Sequence, residues 1–411
     1  MKQKSWRKTN LLLLVLLFLS LASEAQVLSE VRFINLRRTK YSYLRDYIVK
    51  SKQNEIFDST KAKKDVQELY NLRHFEDVKY KLVPIDSGKY ELHFIFKETL
   101  ALFPIADAGI TKDFIRYQAG FIDFNSFGRS GYSTLYIRQF GRLNYGFIGD
   151  YPFVLGKRNG FTVELIKLGS YEPIRINGKR NEYNYDLYTA MAMWRYDLNL
   201  RSFIRIGMGY QFEEFSPHVV FNLDTGKYTF RNSSDRSIFR ANYRYSKINL
   251  DRVTQKGVYL ELNYTQVFPT VPKNILYGNS WKFLADARAY VRPFKNTNIA
   301  ARLRLGIGES ALFDQFVLDD NTNMRGIGFK RVRRDYELVF NLENRQTLYS
   351  HPKGIVQGVV FNDYSPGNNH AGFGLRVYAE PLHGIVFRFD YGFATDDIKN
   401  GGVVAGIHQY F

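Results

Sequence analysis

Beyond residue 100, apolar and polar positions alternate with a period of two. Ile385, Phe387, Phe389 and Tyr391 are interleaved with Val386, Arg388 and Asp390, and Tyr336, Leu338, Phe340 and Leu342 with Glu337, Asn341 and Glu343. Ile299, Ala301, Leu303 and Leu305 stand in the same way against Arg302 and Arg304, and Val258, Leu260, Leu262 and Tyr264 against Glu261 and Asn263. Successive strand side chains point to opposite faces, so each segment predicts a strand with one apolar and one charged face. The runs last about ten residues, enough to cross a bilayer when tilted; strands of a soluble sandwich are usually about five to six residues long. Charge facing lipid at mid-depth would cost about 2–4 kcal/mol per Lys or Arg, so the polar faces are expected to line a wet lumen. The pattern predicts a transmembrane antiparallel β-barrel of about 16 strands over residues 99–411.

The connections obey a parity. Those after even-numbered strands are mostly short turns, at residues 125–130, 197–199, 292–296 and 380–383. Those after odd-numbered strands include the long ones, at 213–235, at 268–279 and the loop that carries Arg325. Short periplasmic turns and long surface loops are the habit of outer-membrane barrels, and an even strand number returns both barrel ends to the periplasmic side.

Ahead of the alternation, the pattern changes twice. Residues 1–25 read as a secretory signal, with Lys2, Lys4, Arg7 and Lys8 before an apolar run over 11–21 and Ser23-Glu24-Ala25 as a cleavage site. Residues 26–98 predict a small module in the order β-α-α-β-β. A strand over 27–34 is followed by a helix over 41–49, with Tyr43, Leu44, Tyr47 and Ile48 on one side. Asp58-Ser59 caps a second helix, whose Ala62, Val66, Leu69 and Tyr70 share a face. Strands over 78–83 and 90–98 close the module around a Pro-Ile-Asp-Ser-Gly turn. His74 and His93 have no second ligand at metal spacing and are expected to be structural.

Composition narrows the classes. The 411 residues contain 34 Phe and 30 Tyr, and no apolar run long enough for a spanning helix beyond the N-terminus. The absence of cysteine excludes a disulfide framework, a thiolate metal site and N-terminal lipidation. The net charge of +18 is scattered rather than gathered in one patch, which suits an anionic lipid surface and speaks against nucleic acid.

Several motifs then fall into one order. Asp123-Phe124-Asn125-Ser126-Phe127-Gly128-Arg129, Asp150-Tyr151-Pro152-Phe153-Val154-Leu155-Gly156, Met324-Arg325-Gly326-Ile327, Asn341-Leu342-Glu343-Asn344-Arg345 and Val360-Phe361-Asn362-Asp363 follow one another along the barrel. Together they resemble the BamA/TamA superfamily of outer-membrane assembly and secretion proteins (the bacterial surface antigen type), over essentially the whole chain past the signal. The first two are similar to the family's turns after the second and fourth barrel strands. Met324-Arg325-Gly326-Ile327 stands where the family has its Arg-Gly-aromatic loop motif. The N-terminal module resembles a single POTRA domain, the periplasmic module of such barrels, where the main assembly factors carry several. Ile327 takes the place of the usual aromatic, with Phe329 two residues later. The C-terminal pattern keeps Gly406, Tyr410 and Phe411 as a sorting signal but has Gln409 where an apolar residue is usual.

The side chains support a specific arrangement around that loop. Glu343 shares the inward parity of Glu337 and Asn341, and Asp363 points inward if Phe361 does. Two carboxylates on neighbouring strands inside a barrel require a cation, and Arg325 offers a planar fork of matching geometry. Gly326 lets the loop backbone approach the wall. A pair fixed in low dielectric would lock the loop and brace the barrel.

Catalytic patterns are absent. Gly128-Arg129-Ser130-Gly131 lacks the spacing of a nucleophile elbow, the seven His show no His-Glu-x-x-His pattern, and the glycines of 306–308 and 372–374 lie in strands. The carboxylate pair could mimic a hydrolase, which keeps an outer-membrane phospholipase as a minor alternative. The expectation is a non-enzyme that requires no cofactor and no metal. The resemblance implies that unfolded outer-membrane or exported proteins are the clients. They would engage the POTRA-like module and the seam between a first strand over 100–110 and a last strand over 403–411, in the cell outer membrane with the module in the periplasm. An insertion factor, a dedicated two-partner secretion pore for one exported protein and a structural barrel are the competing roles. Outer-membrane lipids are implied partners, and accessory periplasmic or lipoprotein subunits are left open.

Overall fold

The structure is a computed structural model that describes residues 26–72, 74–86, 88–100, 102–110, 115–176, 179–217, 232–270, 279–310, 312–320, 322–328, 332–379, 386–407 and 409–411. The expected signal over 1–25, Phe329 and the whole turn at 380–383 lie outside them. The chain divides into two compact units, at Glu98/Thr99.

The first unit is a three-stranded sheet with helices on it. Strand β1 (Val27–Ile34) runs parallel to β3 (Lys89–Glu98), and β2 (Phe75–Asp86) runs antiparallel on the other side of β3. The helix Ser59–Asn71 starts where Asp58 accepts a hydrogen bond from the Thr60 amide at 2.7 Å, satisfying one of the four orphan N–H groups of a first turn. Its Ala62 and Leu69 are buried with Phe75, Leu92 and Phe94. Asp65 turns inward and accepts from the amides of Lys50 and Ser51, each at 2.9 Å, which ties the preceding loop to the helix. Two expectations need correction. The regular helix over 41–49 is one α-turn, Tyr41–Tyr43, running into a π-turn, Leu44–Ile48. The wider turn, closed by the Val49 amide on the Leu44 carbonyl, turns Tyr43, Leu44, Ile48 and Val49 inward and leaves Tyr47 half-buried. The β2–β3 hairpin is also tighter than predicted: Pro84–Asp86 belongs to the strand, and the reversal falls at Gly88, which has a φ of 69°.

The second unit is a 16-stranded antiparallel sheet in which sequence neighbours pair throughout. It begins with β4 (Leu102–Ile110), β5 (Ile115–Ser126), β6 (Gly131–Phe140) and β7 (Arg142–Tyr151). It continues with β8 (Asn159–Ile176), β9 (Lys179–Asn199), β10 (Ser202–Pro217), β11 (Asn232–Asp251), β12 (Thr254–Pro269), β13 (Ser280–Phe294) and β14 (Thr297–Glu309). After a long loop come β17 (Tyr336–His351), β18 (Gly354–Ser365), β19 (Asn368–Ala379), β20 (Val386–Ala394) and β21 (Gly401–Ile407). The loop itself forms a two-stranded ribbon, β15 (Phe316–Leu318) against β16 (Val332–Arg334). The alternation sorts as expected: Leu303, Leu305, Phe340, Leu342, Phe373 and Phe389 are exposed on the outer face, while Asn298, Arg302, Glu337, Asn341, Glu343, Asp363 and Asp390 are buried on the inner one.

Four features differ from expectation. The long loop at 213–235 is partly ladder, because β10 and β11 pair out to Phe215 and Asn232. With 18 and 21 residues, β8 and β9 are about twice the length needed to cross a bilayer. The lumen is wet only in part. A cavity of about 840 Å³ remains, lined by Arg138, Glu164, Arg205, Arg240, Glu261 and others, but near β17–β20 the charged side chains are packed against one another and shut off from solvent. The last strand ends at Ile407 rather than Phe411, and Tyr410 and Phe411 are buried beside Tyr290 and Ala300. Their aromatic rings find cationic partners inside instead of a place on the outer surface.

Candidate functional site

The inner face of β17–β20 is a row of charge set by register. Asn341 of β17 stands opposite Asp363 of β18, Glu343 opposite Phe361, and Gly374 of β19 opposite Asp390 of β20. The period of two therefore aims Glu343, Asp363 and Asp390 at one volume. The ribbon loop delivers Arg325 into it. Its Nε and Nη2 donate to the two oxygens of Asp363, both at 2.8 Å, in a bidentate fork, and its backbone amide donates to Asp363 Oδ2 at 3.0 Å. Its Nη1 donates to Glu343 Oε1 and lies 3.5 Å from Asp390 Oδ2. The guanidinium is sandwiched between two rings, with the Phe361 centroid at 3.5 Å and the Tyr410 centroid at 4.2 Å. Arg325, Glu343 and Asp363 are each 0% exposed.

Such burial is tolerable because the charges are nearly matched and saturated with hydrogen bonds. Arg345 Nε donates to Glu343 Oε2 at 2.6 Å, and Arg376 Nη1 donates to Asp390 Oδ1 at 2.6 Å. Asn341 Nδ2 bridges the loop and the wall, donating to Asp363 Oδ1 at 2.8 Å and to the Asn323 carbonyl at 2.9 Å. The segment after β21 closes the cluster: Arg376 donates to Gln409 at 3.0 Å, Arg345 to the Phe411 carbonyl at 3.2 Å, and Tyr410 Oη to the Asp320 carbonyl at 3.4 Å.

Gly326 has a φ of 79°, and a Cβ there would sit 2.3 Å from the Gly392 carbonyl oxygen of β20. A side chain on Gly392 would in turn meet the Arg325 carbonyl at 2.8 Å. The loop backbone thus crosses the wall at a pair of glycines, the closest approach two chains can make. Ile327, where the resemblance implied an aromatic, packs with Leu318 and Met324 of the loop and Val339 of β17. The aromatic contacts to Arg325 come from Phe361 and Tyr410 instead.

Arg325, Gly326, Glu343, Phe361 and Asp363 all meet in this cluster. Gly406 does not; it pairs with Arg388 in the β20–β21 ladder. Asp390, Arg345 and Arg376 were missed as members. The first two carried a signal, since Asp390 alternates with Phe389 and Arg345 shares the parity of Glu343. Tyr410 had none: its place follows from a chain that leaves its ladder. The cluster can fix a loop and stiffen four strands, and it lacks a free carboxylate for acid–base work.

The two ends of the sheet, β21 and β4, approach within 8 Å, yet among the described residues no backbone ladder joins them. A 16-stranded sheet whose two ends come together, with a loop pinned to its inner face, can be set beside known architectures. No protein-family model matches the chain, and no curated protein matches it by sequence. Solved structures do. CdiB from Escherichia coli superposes with a TM-score of 0.57 at 14% identity, over 94% of this chain and 77% of that one. BamA from Haemophilus ducreyi lacking POTRA domains 1–3 gives 0.53 at 11% identity, over 93% and 83%. CdiB from Acinetobacter baumannii gives 0.52 at 13% identity, over 94% and 74%. The chain has the BamA/CdiB barrel fold. That fold accounts for the strand number, the antiparallel order and the nearly complete coverage. At these identities it is a statement about architecture, and the roles of BamA and CdiB are not transferred with it.

Proposed function

We propose that the protein is an outer-membrane factor that inserts unfolded barrel proteins, using its N-terminal unit to receive them and the β4–β21 seam to template their strands. The observation that carries this is the seam. The strands β21 and β4 come within 8 Å, and among the described residues no backbone ladder joins them, so a seam there can open to an incoming strand by β-augmentation. In β21, Gly401, Gly402 and Gly406 reduce the side-chain packing that would hold a closed seam shut. The wall beside the seam is stiff, because the Arg325 cluster braces β17–β20, so opening is confined to the unbraced edge.

The N-terminal unit supports the same reading. Strand β2 is a sheet edge, and a groove of about 350 Å³ runs between it and the helix Ser59–Asn71, lined by Lys63, Val66, Val78, Lys79 and Tyr80. An extended client segment fits such a place as an added strand. In this role the unit is a periplasmic POTRA-like module that follows a cleaved signal over residues 1–25. The role is not enzymatic: hydrogen bonding and apolar burial at the bilayer drive insertion without a cofactor. Glu343 and Asp363 are both engaged by Arg325, which counts against their serving as the general base of the phospholipase alternative.

A second role, export of one dedicated protein, is favoured by the polar cavity in the lumen. Quantitative outer-membrane proteomics after depletion of the protein separates the two. A joint fall of many unrelated barrel proteins supports insertion. Loss of one exported protein with the barrels intact assigns a secretion pore, and no change would leave a structural barrel and refute both.

A further inference from the structure

The loop between β14 and β17 touches the barrel in a second place, away from Arg325. Just after β14, Phe313 enters a slot of three rings on the walls β9 and β10. It stacks on Tyr185 at 4.7 Å with planes 14° apart, and meets Phe215 at 4.8 Å and Tyr183 edge-on at 5.9 Å. The next residue, Asp314, accepts from Arg236 of β11 at 3.0 Å, and its carbonyl accepts from Lys282. On the returning arm of the ribbon, Arg333 pairs with Glu172 of β8. The sheet order places these walls, β8–β11, about half the barrel circumference from β17–β20. The ribbon therefore spans the lumen and is held at both sides.

The two anchorages differ in what their release would leave behind. Withdrawing Arg325 strands Asp363 in a site without solvent, which is the costly way to break a buried pair. Withdrawing Asp314 leaves Arg236 still paired with Glu213 at 3.1 Å, which Tyr185 also supports through a 2.9 Å hydrogen bond. Withdrawing Arg333 leaves Glu172 with the Ser170 hydroxyl. Arg236 is thus charge-compensated with or without the loop, Glu172 keeps a hydrogen bond, and Phe313 is only half-buried in its slot.

We propose that this loop is a strap with a fixed end at Arg325 and a releasable latch at Phe313, Asp314 and Arg333, and that release of the latch opens a path through the lumen. The device is independent of which client the seam serves. Its energetic logic is that of a bistable element: one anchorage preserves the fold, while the other sets how often the lumen is open.

The test is ion conductance of the full-length protein in planar bilayers, with heat-modifiable migration in detergent gels as the check on the barrel. Phe313→Ala and Asp314→Asn, separately and together, are expected to raise the frequency of open steps about tenfold, the shift expected when an aromatic contact is taken from the closed state. They should keep the heat-modification midpoint of the unmodified protein, whereas Arg325→Ala should lower it. In proteoliposomes the latch variants should also become sensitive to trypsin after Arg333 and Arg334. Conductance and trypsin resistance equal to the unmodified protein would overturn the proposal. So would a lowered heat-modification midpoint in the latch variants, because the far contacts would then brace the wall and not hold a strap.

Discussion

Replacing Arg325 with alanine removes the bidentate fork to Asp363, the contact with Glu343 and both ring stackings at once. The two carboxylates do not fare equally. Glu343 keeps Arg345 at 2.6 Å and Arg376 at 3.4 Å, while Asp363 keeps only neutral Asn341 among its described side-chain partners. The loss is therefore that of one uncompensated buried charge, about 3–5 kcal/mol of barrel stability. Arg325→Lys restores the charge without the planar fork and should recover part of it. Asp363→Asn in the Arg325→Ala background removes the stranded charge and should restore stability toward the unmodified protein, a non-additivity that a mere loss of packing would not produce. Thermal unfolding of the purified barrel in detergent, followed by heat-modifiable migration, measures these variants, the single Asp363→Asn and the unmodified protein. An Arg325→Ala midpoint equal to that of the unmodified barrel would refute the reasoning, and so would strictly additive effects of Arg325→Ala and Asp363→Asn.

Gly326→Ala adds a Cβ 2.3 Å from the Gly392 carbonyl at a φ of 79°, so it should cost about 1–3 kcal/mol in the same assay even though Arg325 is retained. Tyr410→Ala takes away one face of the guanidinium sandwich and should lower stability by about 1–2 kcal/mol, while Tyr410→Phe, which keeps the ring, should remain near the unmodified protein; equal effects would disprove the stacking role. In the N-terminal unit, burial holds the His74 imidazole down to about 4 from its ordinary 6.5, against a smaller upward pull from Glu98. The folded state favours neutral His74, so its contribution is fully present above pH 6.5 and is lost as pH falls toward 4, by about 3 kcal/mol in all. Hydrogen exchange in this unit of the full-length protein should accelerate over that interval and stay flat in His74→Leu; the same acceleration in both would contradict the assignment.

The period of two and the turn residues determined the strand count, the antiparallel order and the division at Glu98, because alternation is written between near neighbours and the bilayer demands it along the whole wall. The same parity placed Glu343 and Asp363 inside, and the need of two inward carboxylates for a cation pointed to Arg325. Tertiary structure decided the rest. Asp390 and Arg376 joined the cluster because four strands happen to stand in one register, and Tyr410 because the chain after Ile407 turns inward. The ring slot for Phe313 is assembled from Tyr183, Tyr185 and Phe215, on strands remote in sequence and on the far side of the lumen. No local pattern encodes such a meeting. It exists only once the sheet has curled upon itself and a ribbon has a barrel to cross.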